Sequence, residues 1–331
     1  MGLRGYIAKR VVYSLILLWA IMTLNFIIFV MMPGDPISRY IKAQEGRETS
    51  KEDLEVLKKV YGVDVPLQER YFLYIKNMLT WNFGRTRYIE NPIALEITRR
   101  LGNTLLLTST AAFFSISVGT LLGVLIASRR GTKTDTGTVT GALVLSSLPV
   151  FWIGWLILFV FAIQLGWFPV GGTYPKWWAG NWPTDPLVYL SGRILTLVLP
   201  VLTLFILTFD GWMLLTRACV LETITEDFVV TAKAKGLRQR SVLLKHVLKT
   251  ASLPLVTAIA LTISGLWGGA IITETLYSYD GLGRWVYQAI TQQDIPVLYV
   301  IFYIDALMII IANFAVDLVY GFIDPRIKVG K

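Results

Sequence analysis

Few side chains in this sequence can carry chemistry, and their placement narrows what that chemistry is. Three carboxylates, Asp210, Asp305 and Asp317, interrupt stretches that are otherwise apolar. An ionisable group at membrane depth is costly to desolvate, so such residues face a cavity or a partner. Arg217 follows Asp210 and is a candidate partner from the next turns, while Asp317 sits where it would anchor a helix end or a neighbouring subunit. Asp305 lies deeper in its stretch. With Asn313 it is the better candidate to line a translocation pathway, structural pairing within an assembly being the alternative for all three. Thr262 and Ser264, beside Gly265, Gly268 and Gly269, suit either a pore wall or close helix packing. The one histidine, His246, stands next to Lys245 in a basic segment and reads as solvated or packing. The one cysteine, Cys219, excludes an internal disulfide. There is no GxxxxGK[ST] phosphate loop, no HExxH, no paired-cysteine pattern and no Ser/His/Asp or Cys/His set. The chain is expected to have no catalytic residues, no metal and no cofactor of its own.

The elements that must position these residues are membrane spans. Of 331 residues 54% are hydrophobic and 16% charged, with a mean hydropathy of +0.59. That composition describes a polytopic membrane protein. A charge-free run from Val11 to Met32 is long enough to cross a bilayer and too long for a signal-peptide core. Further spans are expected over 101–128, 137–166, 194–216, 250–273 and 297–321, six in all. Residues 37–101 are polar and look folded. Ser50 with Asp53 opens a capped helix carrying Leu54, Leu57 and Tyr61, and a second helix runs from about Leu67 to Leu79 before Asn82-Phe83-Gly84 breaks it. Between the third and fourth spans, Trp167, Phe168, Tyr174, Trp177, Trp178 and Trp182 read as an interfacial aromatic belt, in preference to platforms for a sugar.

Net charge is +9, from 31 basic and 22 acidic residues. On a membrane protein this excess marks cytoplasmic loops rather than nucleic-acid binding. The N-terminal tail, the loop after the second span and the C-terminal tail are basic, and the central loop has seven basic residues against three acidic ones. The segment from Glu274 to Pro296 has Arg284 alone against Glu274, Asp280 and Asp294. Both termini and the central loop are therefore expected in the cytoplasm.

That central loop is unusual. In Asp227 to Pro254, Val229, Ala232 and Gly236 recur at helical spacing, and Gly236 offers a turn. Leu243, Leu244, Val247, Leu248 and Ala251 then form an apolar stripe, with Arg240, Lys245 and Lys249 supplying charge. The pattern predicts a helix, a glycine corner, and a second amphipathic helix feeding a span at about Thr250.

Thr231-Ala232-Lys233-Ala234-Lys235-Gly236-Leu237, with Val242-Leu243-Leu244, His246, Leu248 and Leu253-Pro254, resembles the cytoplasmic loop of ABC-importer permeases of the dipeptide/oligopeptide branch. Met31-Met32-Pro33-Gly34-Asp35-Pro36 resembles the signature closing that branch's first span. Tyr61-Gly62-Val63-Asp64, Trp167-Phe168-Pro169-Val170, the segment Glu274 to Arg284 and the stretch Asp317 to Arg326 match in the same order. Three departures stand out: Thr250 where asparagine is common, and Gly102 and Asp280 where proline is usual.

The resemblance implies an all-α polytopic membrane protein with six transmembrane helices, a type I ABC-importer transmembrane domain of the B-type subunit. Residues 1–32 would form the cytoplasmic N-tail and first span, and 33–101 a small extracytoplasmic helical subdomain. Residues 102–325 would form the five-helix permease core with its coupling loop at 217–249, and 326–331 a cytoplasmic tail. It implies a prokaryotic inner-membrane location, a homologous second permease subunit, two ATP-binding subunits that hold ATP and Mg, and an extracytoplasmic solute-binding protein. Nucleic acid is not a partner; the lipid bilayer is. Phe228, Thr231, Ala232, Lys235 and Gly236 are the expected coupling residues. The implied cargo is short peptides, with oligosaccharides or nickel as alternatives. A secondary transporter or channel acting without ATPase subunits is the distant alternative.

Overall fold

The computed structural model describes residues 3–31, 35–45, 51–85, 92–266 and 270–323, and all regular structure among them is helical. In chain order the helices are α1 (Leu3–Phe26, extended by a π-helical turn Ile27–Met31), α2 (Pro36–Glu45), α3 (Lys51–Tyr61) and α4 (Leu67–Leu79). Next come α5 (Ile93–Ala127), α6 (Lys133–Ser146), α7 (Val150–Ile157, continued as a π-helix Leu158–Gln164) and α8 (Pro186–Thr223). The last are α9 (Asp227–Ala234), α10 (Gln239–Ser241, continued as a π-helix Val242–Val247), α11 (Leu248–Gly265), α12 (Ile271–Leu276), α13 (Leu282–Gln292) and α14 (Ile295–Ile323). Pro33, Gly34, Ser50, Gly268, Gly269 and the tail from Asp324, on which expectations were placed, lie outside the described residues.

Four stretches are long and apolar enough to span a bilayer as single helices: Gly5–Met31, Ile93–Ala127, Pro186–Thr223 and Ile295–Leu318. Two more pass only as bent pairs, Lys133–Ser146 with Val150–Gln164 at 99° and Val242–Ser252 with Pro254–Ile263 at 53°. Counting each pair once gives the expected six. The third span, expected over 137–166, is the bent pair Lys133–Ser146 and Val150–Gln164. Its signal was in the sequence, because Pro149 both lacks an N–H and pushes the residue before it out of the helical region. Pro254 sits at the second bend, inside α11, where its missing N–H interrupts the helix ladder. The fourth span is longer than expected. Asp185 caps it, its carboxylate accepting the Leu187 N–H at 2.8 Å, with Pro186 in the first turn.

The chain forms two compact units. The first holds residues up to Thr104, the short stretch Trp267–Ile271, and Asp280 onward. In it α1 lies along α14, and an aromatic core of Phe26, Tyr61, Tyr74, Phe83, Tyr299 and Tyr303 is sealed between α1, α4 and α14. The buried Asn25 amide joins them, donating to the Tyr74 hydroxyl and the Tyr299 carbonyl. Asp35 closes the first span through its neighbours. The buried Arg70 guanidinium donates to both its carboxylate oxygens and to the Tyr61 carbonyl, and Ser38 donates from backbone and hydroxyl. Burial alone would raise the Asp35 pKa, but the hydrogen bonds from Arg70 and Ser38 hold it below the ordinary carboxylate value.

A depressed folded-state pKa gives stability that is present above the ordinary carboxylate pKa and lost as pH falls through the folded value. Asp35→Asn is therefore expected to destabilise the first unit at neutral pH by on the order of 1–3 kcal/mol. It should also remove the extra weakening expected of the native protein below about pH 4, as Asp35 protonates. Limited proteolysis of residues 35–85 against pH reads both; parallel curves for native and variant would refute it.

Asp280, the departure from the family pattern, also has a structural account. Arg99 and Arg100 both reach its carboxylate at 2.6 Å and share Glu96 between them. The Asn103 amide donates to the Asp280 carbonyl at 2.7 Å, and Arg100 lies over the Trp285 ring. Proline at 280 would supply no carboxylate to the arginine pair.

The second unit is built on α5 and α8. Gly119 and Gly123, four apart on α5, let the α8 backbone approach closely. A Cβ on Gly119 would lie 2.5 Å from the Phe209 carbonyl oxygen, and one on Gly123 2.6 Å from that of Met213. This small-xxx-small seam was legible in the sequence and was not singled out. The buried Tyr277 ties three segments of this unit. Its hydroxyl bonds Thr203 and the Gly154 carbonyl, and its own carbonyl accepts the Gly172 N–H at 2.8 Å. The aromatic segment is a cluster packed on itself: Trp178 is buried and stacked on Tyr189, Trp182 is edge-on to Tyr174, and Arg193 covers Tyr174. Trp167, Trp177 and Trp182 keep exposed faces.

Candidate coupling site and translocation pathway

The loop after α8 folds as its pattern predicts. In α9 the acidic Asp227 opens the first turn and Lys233 closes the last, complementing the helix dipole. The helix ends in an αL cap: the Gly236 N–H donates to the Lys233 carbonyl at 2.9 Å, and Gly236 has φ +72°. The chain turns there and restarts at α10, running on through the π-helical Val242–Val247 into α11.

Two stripes on α9 divide its work. Val229 and Ala232 are buried with Val242, Val247 and Ala251, against Val124 and Ala127 of α5 and Cys219 and Val220 of α8. The stripe one residue out of phase is exposed: Phe228, Thr231 and Lys235, with Gly236 at the corner. Of the five expected coupling residues, four thus lie on the outer surface, whereas Ala232 packs inward and holds the corner against α5 and α8. Val230, 61% exposed, and Leu237 add apolar surface to the outer face. Val230 was not anticipated, because an apolar residue between two buried positions reads as core until the helix phase is known. His246 is exposed.

The membrane carboxylates separate on inspection. Arg217 pairs with Asp135 of α6, through bonds of 2.8 and 2.9 Å, and not with Asp210. The expected Asp210–Arg217 pair is corrected on geometry: seven residues along one helix is about 10.5 Å of rise, beyond the spacing at which side chains on one helix meet. Asp210 is buried and accepts the Gly211 N–H. Asp135 is presented by a capped turn, its own N–H bonded to Thr132 and its carboxylate to the Gly131 N–H. Asp317 pairs with Arg10 of α1 at 2.8 Å, anchoring α14 within the first unit.

The pathway candidates fall in both units. Asp305 is half-buried and Asn313 exposed on α14 of the first unit. Thr262 lies on α11 of the second, its hydroxyl donating back to the Ala258 carbonyl at 3.0 Å. The Ser264 side chain lies outside the described residues.

The chain is similar in sequence to known proteins along its length. Residues 119–329 match the family described as the binding-protein-dependent transport system inner membrane component, and residues 3–92 match its N-terminal membrane component. The chain belongs to this family of multi-pass importer permeases. It is 32% identical over 336 residues to a di/tripeptide transport system permease protein, DppB, of Pseudomonas aeruginosa, covering 98% of each chain. The oligopeptide transport system permease protein AppB of Bacillus subtilis is 31% identical over 98% of this chain and 99% of that protein. The glutathione transport system permease protein GsiC of Escherichia coli K12 is 32% identical over the same shares. A chain of the MetNI methionine ABC transporter in an inward-facing conformation overlays 69% of this chain and 98% of its own, at 18% identity and a TM-score of 0.49.

Proposed function

We propose that this chain is the membrane-spanning permease subunit of an ATP-driven importer of short peptides. The observation that carries the reading is end-to-end similarity to permeases named for di/tripeptide, oligopeptide and glutathione transport. The chain does not hydrolyse ATP; two ATPase subunits bind ATP and Mg and drive it. A companion permease completes the pathway, and an extracytoplasmic binding protein delivers the cargo. The termini and the loop 217–249 face the cytoplasm, in keeping with the basic loops, while the subdomain 33–101 lies outside.

In this reading Phe228, Thr231, Lys235 and Gly236 meet the ATPase, and Ala232 backs them. ATP binding closes the ATPase pair, which moves α9 and, through the buried Val229 and Ala232, the ends of α5 and α8 packed on it. The pathway opens outward to the loaded binding protein, and hydrolysis returns it inward. Asp305, Asn313, Thr262 and Ser264 line the route. Asp305→Asn is then expected to change uptake severalfold with the complex intact on size-exclusion chromatography; loss of assembly instead would make Asp305 a structural residue.

The test of the whole reading is uptake into proteoliposomes holding both permeases and both ATPases, with the binding protein added. Labelled di- and tripeptides should enter only with ATP. Entry of cello-oligosaccharides or nickel with no peptide entry would overturn the cargo. Uptake without the ATPases would overturn the mechanism.

A further inference from the structure

Beside the coupling corner, within the second unit, runs a groove of about 770 Å³. One wall is the end of α5, with Leu121, Val124 and Leu125; the other is Leu243, Leu244 and Leu248. Its volume falls in the range of about 300–1,000 Å³ typical of small-molecule sites. The second wall is the π-helical stretch after the corner with Leu248 of α11, and π-helical turns are rare and frequent at functional sites. Leu121, Leu125 and Leu244 turn 65, 56 and 46% of their surface to the outside, so the groove is open along its length. Its polar lining includes Ser128 and Gln239, and the neighbours of these two residues in the chain are Arg129 and Arg238. Both arginines are exposed and have no ion-pair partner among the described residues.

We propose that this groove holds an anionic phospholipid, its acyl chain between the leucines of α5 and of Leu243–Leu248 and its phosphate at Arg129 and Arg238. Charge complementarity chooses the occupant. An apolar helix from a companion subunit satisfies the groove but leaves both arginines unmatched, whereas an anionic amphiphile satisfies both ends at once. Basic residues at the membrane surface attract anionic lipid and not zwitterionic lipid. The lipid would wedge between α5 and the helix that continues the corner, so its presence sets how firmly the corner is held. The siting of the groove on the cytoplasmic leaflet rests on the orientation proposed above; the leucine walls, and the place of Arg129 and Arg238 next in the chain to the lining Ser128 and Gln239, do not.

The test is lipid retention by the assembled importer, read without cargo, so a failed peptide assay leaves it standing. The complex is loaded from vesicles of equal phosphatidylglycerol and phosphatidylcholine, stripped with mild detergent, and the retained lipid measured by mass spectrometry. Native protein should keep phosphatidylglycerol severalfold over phosphatidylcholine. The double variant Arg129→Gln, Arg238→Gln should weaken phosphatidylglycerol binding by at least about tenfold. Leu125→Trp, which fills the groove, should release both lipids while the complex stays assembled. Equal retention of the two lipids by native protein would overturn the proposal. So would a phosphatidylglycerol preference that both variants leave intact. Loss of the companion permease from the Leu125→Trp complex would assign the groove to that subunit and also overturn it.

Discussion

Replacing Gly236 by valine is expected to cut ATP-driven uptake by roughly 5- to 100-fold while leaving insertion and assembly intact. The corner has φ +72°, where a residue with a Cβ pays about 1–3 kcal/mol and a β-branched one fits worst. Apart from its neighbours in the chain, no atom lies within 4 Å of the place a Cβ would take, so the strain of the substitution falls first on the backbone. The chain relieves the strain by abandoning the positive φ. That re-aims Gln239–Ser241 and the helix behind it, and displaces the corner surface at Lys235 and Leu237 from its place beside Phe228 and Thr231. The core under the corner, with Val229 and Ala232, keeps its own contacts, so membrane levels should hold. Peptide uptake in proteoliposomes, set against immunoblotted protein, reads the result. Gly236→Asn should retain more uptake than valine, because asparagine tolerates this region. Wild-type uptake by the valine variant would remove the corner from the coupling mechanism.

Gly123→Val should have the largest effect on stability. A Cβ there would stand 2.6 Å from both the Met213 carbonyl oxygen and the Thr216 Cβ, and 3.1 Å from the Arg217 nitrogen. Two of the three obstacles are backbone atoms, which cannot swing aside as a side-chain tip can. The α5–α8 seam must open, at a cost of about 1–3 kcal/mol or more for overpacking, and one that shifts the melting midpoint by about 2–4 °C per kcal/mol in a domain of this size. The displacement also reaches the Arg217–Asp135 pair, because Arg217 is one of the residues crowded. Gly141→Val is the matched control, since nothing lies within 4 Å of its Cβ position on α6. Thermal unfolding of the purified complex in detergent compares them; equal midpoints for the two variants would show that the close approach is not needed.

Much of this protein is legible without coordinates, because a bilayer imposes a simple rule. Apolar stretches of about 20 residues must be helices, since no water is present to satisfy their backbone. The spans, the basic loops and the glycine corner at Gly236 follow from that rule and from the left-handed turn that only a residue like glycine adopts freely. The short motifs are equally local, so the family could be read from them. What the sequence could not supply is which face of each helix meets which neighbour. Asp280 looked like a departure of unknown consequence until two arginines almost two hundred residues upstream in the chain were found on its carboxylate. Arg217 offered itself to Asp210 by proximity in sequence, but helix rise put the two apart and the fold brought Asp135 across from α6. Ala232 and Thr231 are adjacent in the chain, yet one is buried and the other exposed, a difference of helix phase that only packing against α5 and α8 sets. Local chemistry and the membrane determine where the helices are and how they end. Partners distant in the chain are decided by packing, because the seam geometry that selects them, such as the approach allowed by Gly119 and Gly123, exists only once the helices have met.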